Sequence, residues 1–152
     1  MQLTHTSPAE ITKIDTLGRY GEFLFFSAGE YVMTAGSHIA YTIELDDAAV
    51  IRAGALFYHE GAEKLAGLVA EVAARFDIDE DTAEALIEES KSIYDINSNV
   101  DVEDMAEASW DIQHYTARAA KLLGFRGVAV RDEQGTAYLV DMLGREADLV
   151  KA

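Results

Sequence analysis

The chain has 152 residues, 49% of them hydrophobic, with one proline and no cysteine. A chain of that size and apolar content can bury a real core as one domain. Extended disorder, a disulfide scaffold, a zinc-thiolate site and a cysteine nucleophile are excluded. Lys and Arg total 12 against 28 Asp and Glu, a formal charge of −16, which repels nucleic-acid backbone and anionic membrane and complements a basic protein surface.

No window approaches the run of about 18 apolar residues that spans a bilayer, and the N-terminus lacks a basic, then apolar, then small-residue leader pattern. The expectation is a soluble, cytoplasmic protein with no direct nucleic-acid or membrane contact, folded as a single domain over residues 1–152. The acidic surface serves solubility as readily as docking on a basic face.

Taken in chain order, Leu3-Thr4-His5 reads as a short first strand, stopped by Ser7-Pro8. Phe23 to Ser27, bounded by Gly21 and Gly29, is an apolar run typical of a buried strand. Tyr41-Thr42-Ile43-Glu44-Leu45 alternates apolar and polar, the period of a half-buried strand, and Asp46-Asp47 ends it.

The middle of the chain is helical in character. Ala62 to Phe76 is rich in good helix formers. Asp81-Thr82-Ala83-Glu84 has the form of a capping box, predicting a helix that runs to about Tyr94, with Asn97-Ser98-Asn99 as the loop that follows. Asp101 can cap a long third helix that puts Val102, Met105, Ser109, Ile112, Thr116, Ala119 and Leu123 on one face, stopped by Gly124. The end returns to strands: Val128-Ala129-Val130 and Ala137-Tyr138-Leu139-Val140 flank Asp132 to Thr136, a hairpin turn with Gly135 taking the unusual backbone angles. Strands, then helices, then strands predict an α+β fold, with the helices packed on one face of a mostly antiparallel sheet or forming a lobe beside it.

Several common chemistries fail on inspection. There is no phosphate-binding loop ending in Gly-Lys-Ser/Thr, no Rossmann glycine fingerprint and no serine-hydrolase elbow. His59-Glu60-Gly61-Ala62-Glu63 starts like a zinc-protease helix but has Glu where the second His belongs, and His38 and His114 have no partner at metal-ligand spacing, so no metal is expected. What remains is an ordered set: His5-Thr6-Ser7, Gly18-Arg19-Tyr20-Gly21, Phe25-Phe26-Ser27, Tyr31 and Asp132-Glu133-Gln134-Gly135-Thr136. Each piece alone also reads as ordinary structure: a strand-end histidine, a core tyrosine, a solvated turn.

In that order the set resembles the small ADP-ribosyltransferases, and within them the anti-CRISPR ADP-ribosyltransferases of phages and mobile elements. Trp110-Asp111-Ile112-Gln113 and Leu123-Gly124-Phe125 extend the likeness to most of the chain. The five-residue Asp132–Thr136 match is its most specific part. The resemblance implies an ADP-ribosyltransferase-like sheet with a central insertion of about three helices, and NAD as co-substrate. It implies that His5, Thr6 and Ser7 hold the ribose, that Tyr31 stacks on nicotinamide and that Phe25, Phe26 and Ser27 line the pocket. Arg19, within the Arg19-Tyr20-Gly21 turn, would meet the pyrophosphate. Asp132 is the implied catalytic carboxylate, with Glu133 in reserve because strand neighbours point to opposite faces. Most protein-modifying relatives use Glu at that place, and Asp is one methylene shorter. The implied target is a protein, a DNA-binding subunit of a CRISPR surveillance complex. Three rival readings share the sequence: a non-enzymatic acidic inhibitor that mimics nucleic acid without needing NAD, a toxin-like transferase or NAD hydrolase, and an α+β interaction domain with neither NAD contact nor a covalent product.

Overall fold

A computed structural model describes residues 1–7, 10–14, 21–28, 39–132 and 135–151, Asp132 by its backbone alone. The described strands are β1 (Gln2–Ser7), β2 (Phe23–Ser27), β3 (Ile39–Glu44), β4 (Val50–Arg52), β5 (Gly127–Asp132), β6 (Gly135–Asp141) and β7 (Val150–Lys151). They form one sheet in the order β4-β5-β6-β2-β1-β3-β7. Every neighbouring pair is antiparallel except β4 with β5, which is parallel. The three described α-helices, α1 (Ala66–Phe76), α2 (Glu80–Ile87) and α3 (Met105–Leu122), lie in sequence between β4 and β5. The fold is therefore α+β with a mostly antiparallel sheet, as the sequence predicts.

Strand periodicity splits the apolar residues between the two faces of the sheet. Phe23, Val128, Val130, Ala137 and Leu139 join Leu68, Val72, Phe76, Leu86 and Ile112 in the larger core, so the helices cover that face. On the other face Leu3, Phe26, Ile43, Val140 and Met142 close a smaller core with Ile14 and Leu45. Phe26, Phe76, Leu3 and Leu139 are fully buried, each contributing roughly 1.5–3 kcal/mol by leaving water.

The strands predicted from alternation are present: β2 has the expected bounds, β1 reaches two residues past His5, and β3 buries Tyr41 and Ile43 while leaving Thr42 half-buried. The β5–β6 hairpin forms with Gly135 at φ 124°. Gly124, at φ 95°, ends α3 with the double hydrogen bond of a Schellman motif, Phe125 N–H to the Ala120 carbonyl and Gly124 N–H to that of Lys121.

The helical middle needs correction. The Ala62–Phe76 stretch starts as a 3-10 turn, Ala62–Leu65, before α1 proper. The N-cap of α2 is Asp79, whose carboxylate accepts from the Thr82 amide at 2.7 Å; the Asp81–Glu84 box is inside the helix. That helix ends at Ile87 rather than near Tyr94. The Ser92/Asp95 capping box starts a separate 3-10 turn, Ile93–Asp95, and two strong local caps override a continuous run of helix formers. Asp101 makes no side-chain cap; Val102–Asp104 is a 3-10 turn and Val102 is exposed, whereas Ile112, Thr116, Ala119 and Leu123 are buried as predicted. The β4 strand carries no sequence signal of its own: three residues suffice because β5 supplies the parallel partner.

Candidate active site

Strand β1 presents His5 on the face away from the helices, directly across from Tyr41 on β3. Its Nδ1 lies 2.7 Å from the Phe25 carbonyl oxygen. A carbonyl only accepts, so Nδ1 carries the proton and Nε2 is left as an acceptor. Burial pushes the imidazole pKa below its ordinary value, and the Phe25 hydrogen bond opposes that shift more weakly. His5 is thus a neutral, oriented ring, tilted against Phe26 at a centroid distance of 5.6 Å.

The other residues of the ordered set divide by face. Ser7 and Phe26 share the face of His5, whereas Thr6, Phe25 and Ser27 point to the helix side by strand alternation. Phe25 packs against the larger core, and Ser27 lies opposite buried Ala137. Gly21, at φ 60°, turns the chain into β2. Arg19, Tyr20, Tyr31 and Glu133 lie outside the described residues.

Asp132 is the last residue of β5, paired with Gly135 across the hairpin. The ladders put Phe26 opposite Tyr138, and Tyr138 opposite Ala129. Asp132 is three residues beyond Ala129 on β5. With about 3.3 Å per residue and about 4.8 Å between strands, the backbones of His5 and Asp132 are offset by roughly 10 Å along the sheet and 14 Å across it. By alternation the Asp132 position falls in the row of Val128 and Val130, the helix side of the sheet, so the two ends of the ordered set are separated by face as well as by distance.

One residue next to this hairpin escapes a sequence reading. Glu89, just past α2, has a half-buried carboxylate whose oxygens lie 3.1 and 3.3 Å from the backbone nitrogen of Arg131. Burial raises its pKa, and the Arg131 amide and charge act in the opposite direction. The sequence offers a faint signal at most, a helix end with Glu where glycine is usual.

Two other features stand apart from the ordered set. A surface groove of about 410 Å³ between α1 and the start of α3 is lined by Arg75, Asn99, Asp101, Asp104, Glu107 and Asp111 among others. At its edge the exposed carboxylates of Asp101, Glu103 and Asp104 come within 4.8 Å of one another. Of the other histidines, His59 Nδ1 accepts from the Gly61 amide at 3.0 Å and His114 packs edge-on against Phe23, both roles being structural, and His38 lies outside the described residues. Among the described residues, no helix is long and apolar enough to cross a membrane.

The fold is similar to that of a solved anti-CRISPR protein. That crystal structure superposes with a TM-score of 0.58 at 25% identity, covering 92% of this chain and 88% of the other. No curated protein sequence matches the chain. Residues 1–146 match the family described as Anti-CRISPR Type I-F ADP-ribosyltransferase AcrIF11. The chain belongs to that family, and its enzyme class is ADP-ribosyltransferase.

Proposed function

We propose that the protein is an NAD-dependent mono-ADP-ribosyltransferase. It modifies a side chain on a DNA-contacting subunit of a type I-F CRISPR surveillance complex. Family membership over residues 1–146 carries this reading. The neutral, oriented His5 at one end of the ordered set and Asp132 at the end of the β5–β6 hairpin support it. The sheet is read as ADP-ribosyltransferase-like, with the α1–α3 segment as its insertion.

In the proposed reaction the bond between nicotinamide nitrogen and ribose C1′ breaks with its electron pair going to nicotinamide. Positive charge develops on the ribose, as in glycoside hydrolysis. The Asp132 carboxylate stabilises that charge, an interaction stronger in the transition state than in the ground state. The acceptor's nucleophilic atom then bonds to C1′ and releases its proton. His5 Nε2 accepts from a ribose hydroxyl, and because the ring is already neutral and held by the Phe25 carbonyl, no reorganisation is needed. Ser7 assists on the same face. Tyr31 stacks on nicotinamide and Arg19 meets the pyrophosphate.

ADP-ribose is bulky and carries two negative charges. On a DNA-contacting surface it blocks duplex binding both sterically and by repulsion. The chain's formal charge of −16 favours docking on such a basic surface. Intact-mass spectrometry of a purified type I-F surveillance complex, incubated with the protein and NAD, tests the reading. A gain of one ADP-ribose unit on one subunit is the expected result. Inhibition without any mass gain, or without NAD, would replace it with the acidic-mimic reading.

A further inference from the structure

At the end of α2 the backbone forms a Schellman motif: the Ser90 amide donates to the Ala85 carbonyl at 2.9 Å and the Glu89 amide to that of Leu86 at 3.2 Å. The left-handed position of that motif, usually glycine, is Glu89 at φ 65°. A non-glycine side chain there sits in a sparsely populated region, and an unbranched charged residue gains nothing from it locally. The equivalent position after α3 is Gly124. The Glu89 side chain leaves the helix and reaches β5, where both oxygens lie within hydrogen-bond distance of the Arg131 amide.

That amide is next in sequence to Asp132, and its place on the sheet explains why it needs a partner. Strand β4 pairs with β5 only as far as Arg52 opposite Ala129. Beyond that point β5 has β6 on one side and no described strand on the other. Glu89 takes the place of the missing strand. The helix end it comes from is itself fixed, since the buried Thr116 hydroxyl on α3 lies 2.7 Å from the Ile87 carbonyl. Thr116, Ile87, Glu89 and Arg131 thus form a continuous tie from the helical layer to the strand end.

We infer that Glu89 is a positioning residue for the reaction: its carboxylate clamps the Arg131 amide and so fixes, on the side β4 no longer covers, the end of β5 that carries Asp132. This inference rests on the reading of Asp132 as the catalytic carboxylate. Glu89 acts through the backbone and need not touch substrate. Its carboxylate is the one group from the helical layer that holds this strand end by hydrogen bond among the described contacts.

The test compares Glu89→Ala, Glu89→Gln and Glu89→Gly with wild type and Asp132→Asn. ADP-ribose transfer from labelled NAD to a purified type I-F surveillance complex supplies kcat and KM for NAD. Calorimetric titration with NAD supplies the number of competent sites. Glu89→Ala should lower kcat at least tenfold per competent site, with KM for NAD within threefold. Glu89→Gln, which keeps one acceptor oxygen, should recover most of that loss. Glu89→Gly, which suits φ 65° but has no clamp, should match Glu89→Ala in kcat while unfolding at a higher temperature. Wild-type kcat in Glu89→Ala beside an inactive Asp132→Asn would overturn the clamp alone. So would a kcat loss that merely tracks lost NAD sites. An active Asp132→Asn would overturn the catalytic reading and the clamp with it.

Discussion

The two faces of the sheet are built to different depths. Toward the helices, Phe23, Val128, Val130, Ala137 and Leu139 meet side chains from all three helices, and the layer is tied further by Arg75, which bridges α1 to Asp111 and Tyr115 on α3 at 2.6 and 3.2 Å. On the opposite face Leu3, Phe26, Ile43, Val140 and Met142 are covered by loop residues such as Ile11, Ile14 and Leu149. His5 stands on this thinner side, beside Phe26. The difference teaches where the molecule keeps its stability and where it keeps its polar groups. A helical layer supplies rigid apolar cover, and a face closed by connecting segments leaves room for a side chain that must meet a ligand.

The comparison can be broken or sharpened experimentally. The largest expected effect is chemical. Asp132→Ala should lower ADP-ribose transfer by about a thousandfold, the scale of losing one preorganised electrostatic partner, while the unfolding midpoint stays within a few degrees of wild type. Intact mass and calorimetry read the two quantities, and a stable variant with near-normal transfer would move the catalytic assignment elsewhere.

Next come two equal truncations on opposite faces. Leu139 and Leu3 are both fully buried. Leu139→Ala should cost about 4 kcal/mol and Leu3→Ala about 3 kcal/mol, because a cavity under loops can collapse further than one beneath packed helices. Urea denaturation decides the matter: equal costs would mean the two cores are equally rigid.

A smaller effect concerns pH. The folded pKa of His5 lies below its ordinary value of 6.5, chiefly through burial, so the unfolded chain takes up the proton first. The stability from keeping His5 neutral is complete above about 6.5 and is lost as pH falls from there toward the lowered folded value. His114, also lowered by burial, adds a slope of the same sign. His5→Gln should therefore flatten, without abolishing, the fall in stability between neutral and mildly acidic pH, measured by urea midpoints. An unchanged slope would show that His5 is not the buried neutral group inferred. Smallest of all, Asp111→Asn should cost no more than about 1 kcal/mol, since Arg75 and Asp111 in that pair are 42% and 32% exposed. A larger loss would make that bridge a true support of the helical face.

Much of the fold was legible because its signals are local. Phe23–Ser27 is a bounded apolar run, Tyr41–Leu45 alternates, and Gly135 and Gly124 sit where a turn and a helix end require positive φ. The end of α2 is not legible in the sequence for the opposite reason. Residues 81–94 favour helix throughout, and the break at Glu89 is enforced by a Schellman motif without glycine and by contacts with α3 and β5. The motif order singled out His5 and Asp132. It did not reveal that Thr6, Phe25 and Ser27 face the helices while Ser7 and Phe26 accompany His5, because face assignment follows from register.

Strand and helix types, the α+β class, the acidic surface and the family to which the chain belongs were all written in composition, periodicity and motif order. Those properties depend on residues close in sequence, or on identities that need no geometry. Packing settled the rest: the order of the strands, the parallel β4–β5 pair, the neutral His5 held by a carbonyl from another strand, and the Glu89 clamp on the Arg131 amide. Each joins groups 20 or more positions apart. Such pairings are selected by the burial of two faces at once and by the need of every edge amide for a partner, conditions that no short stretch of sequence can express.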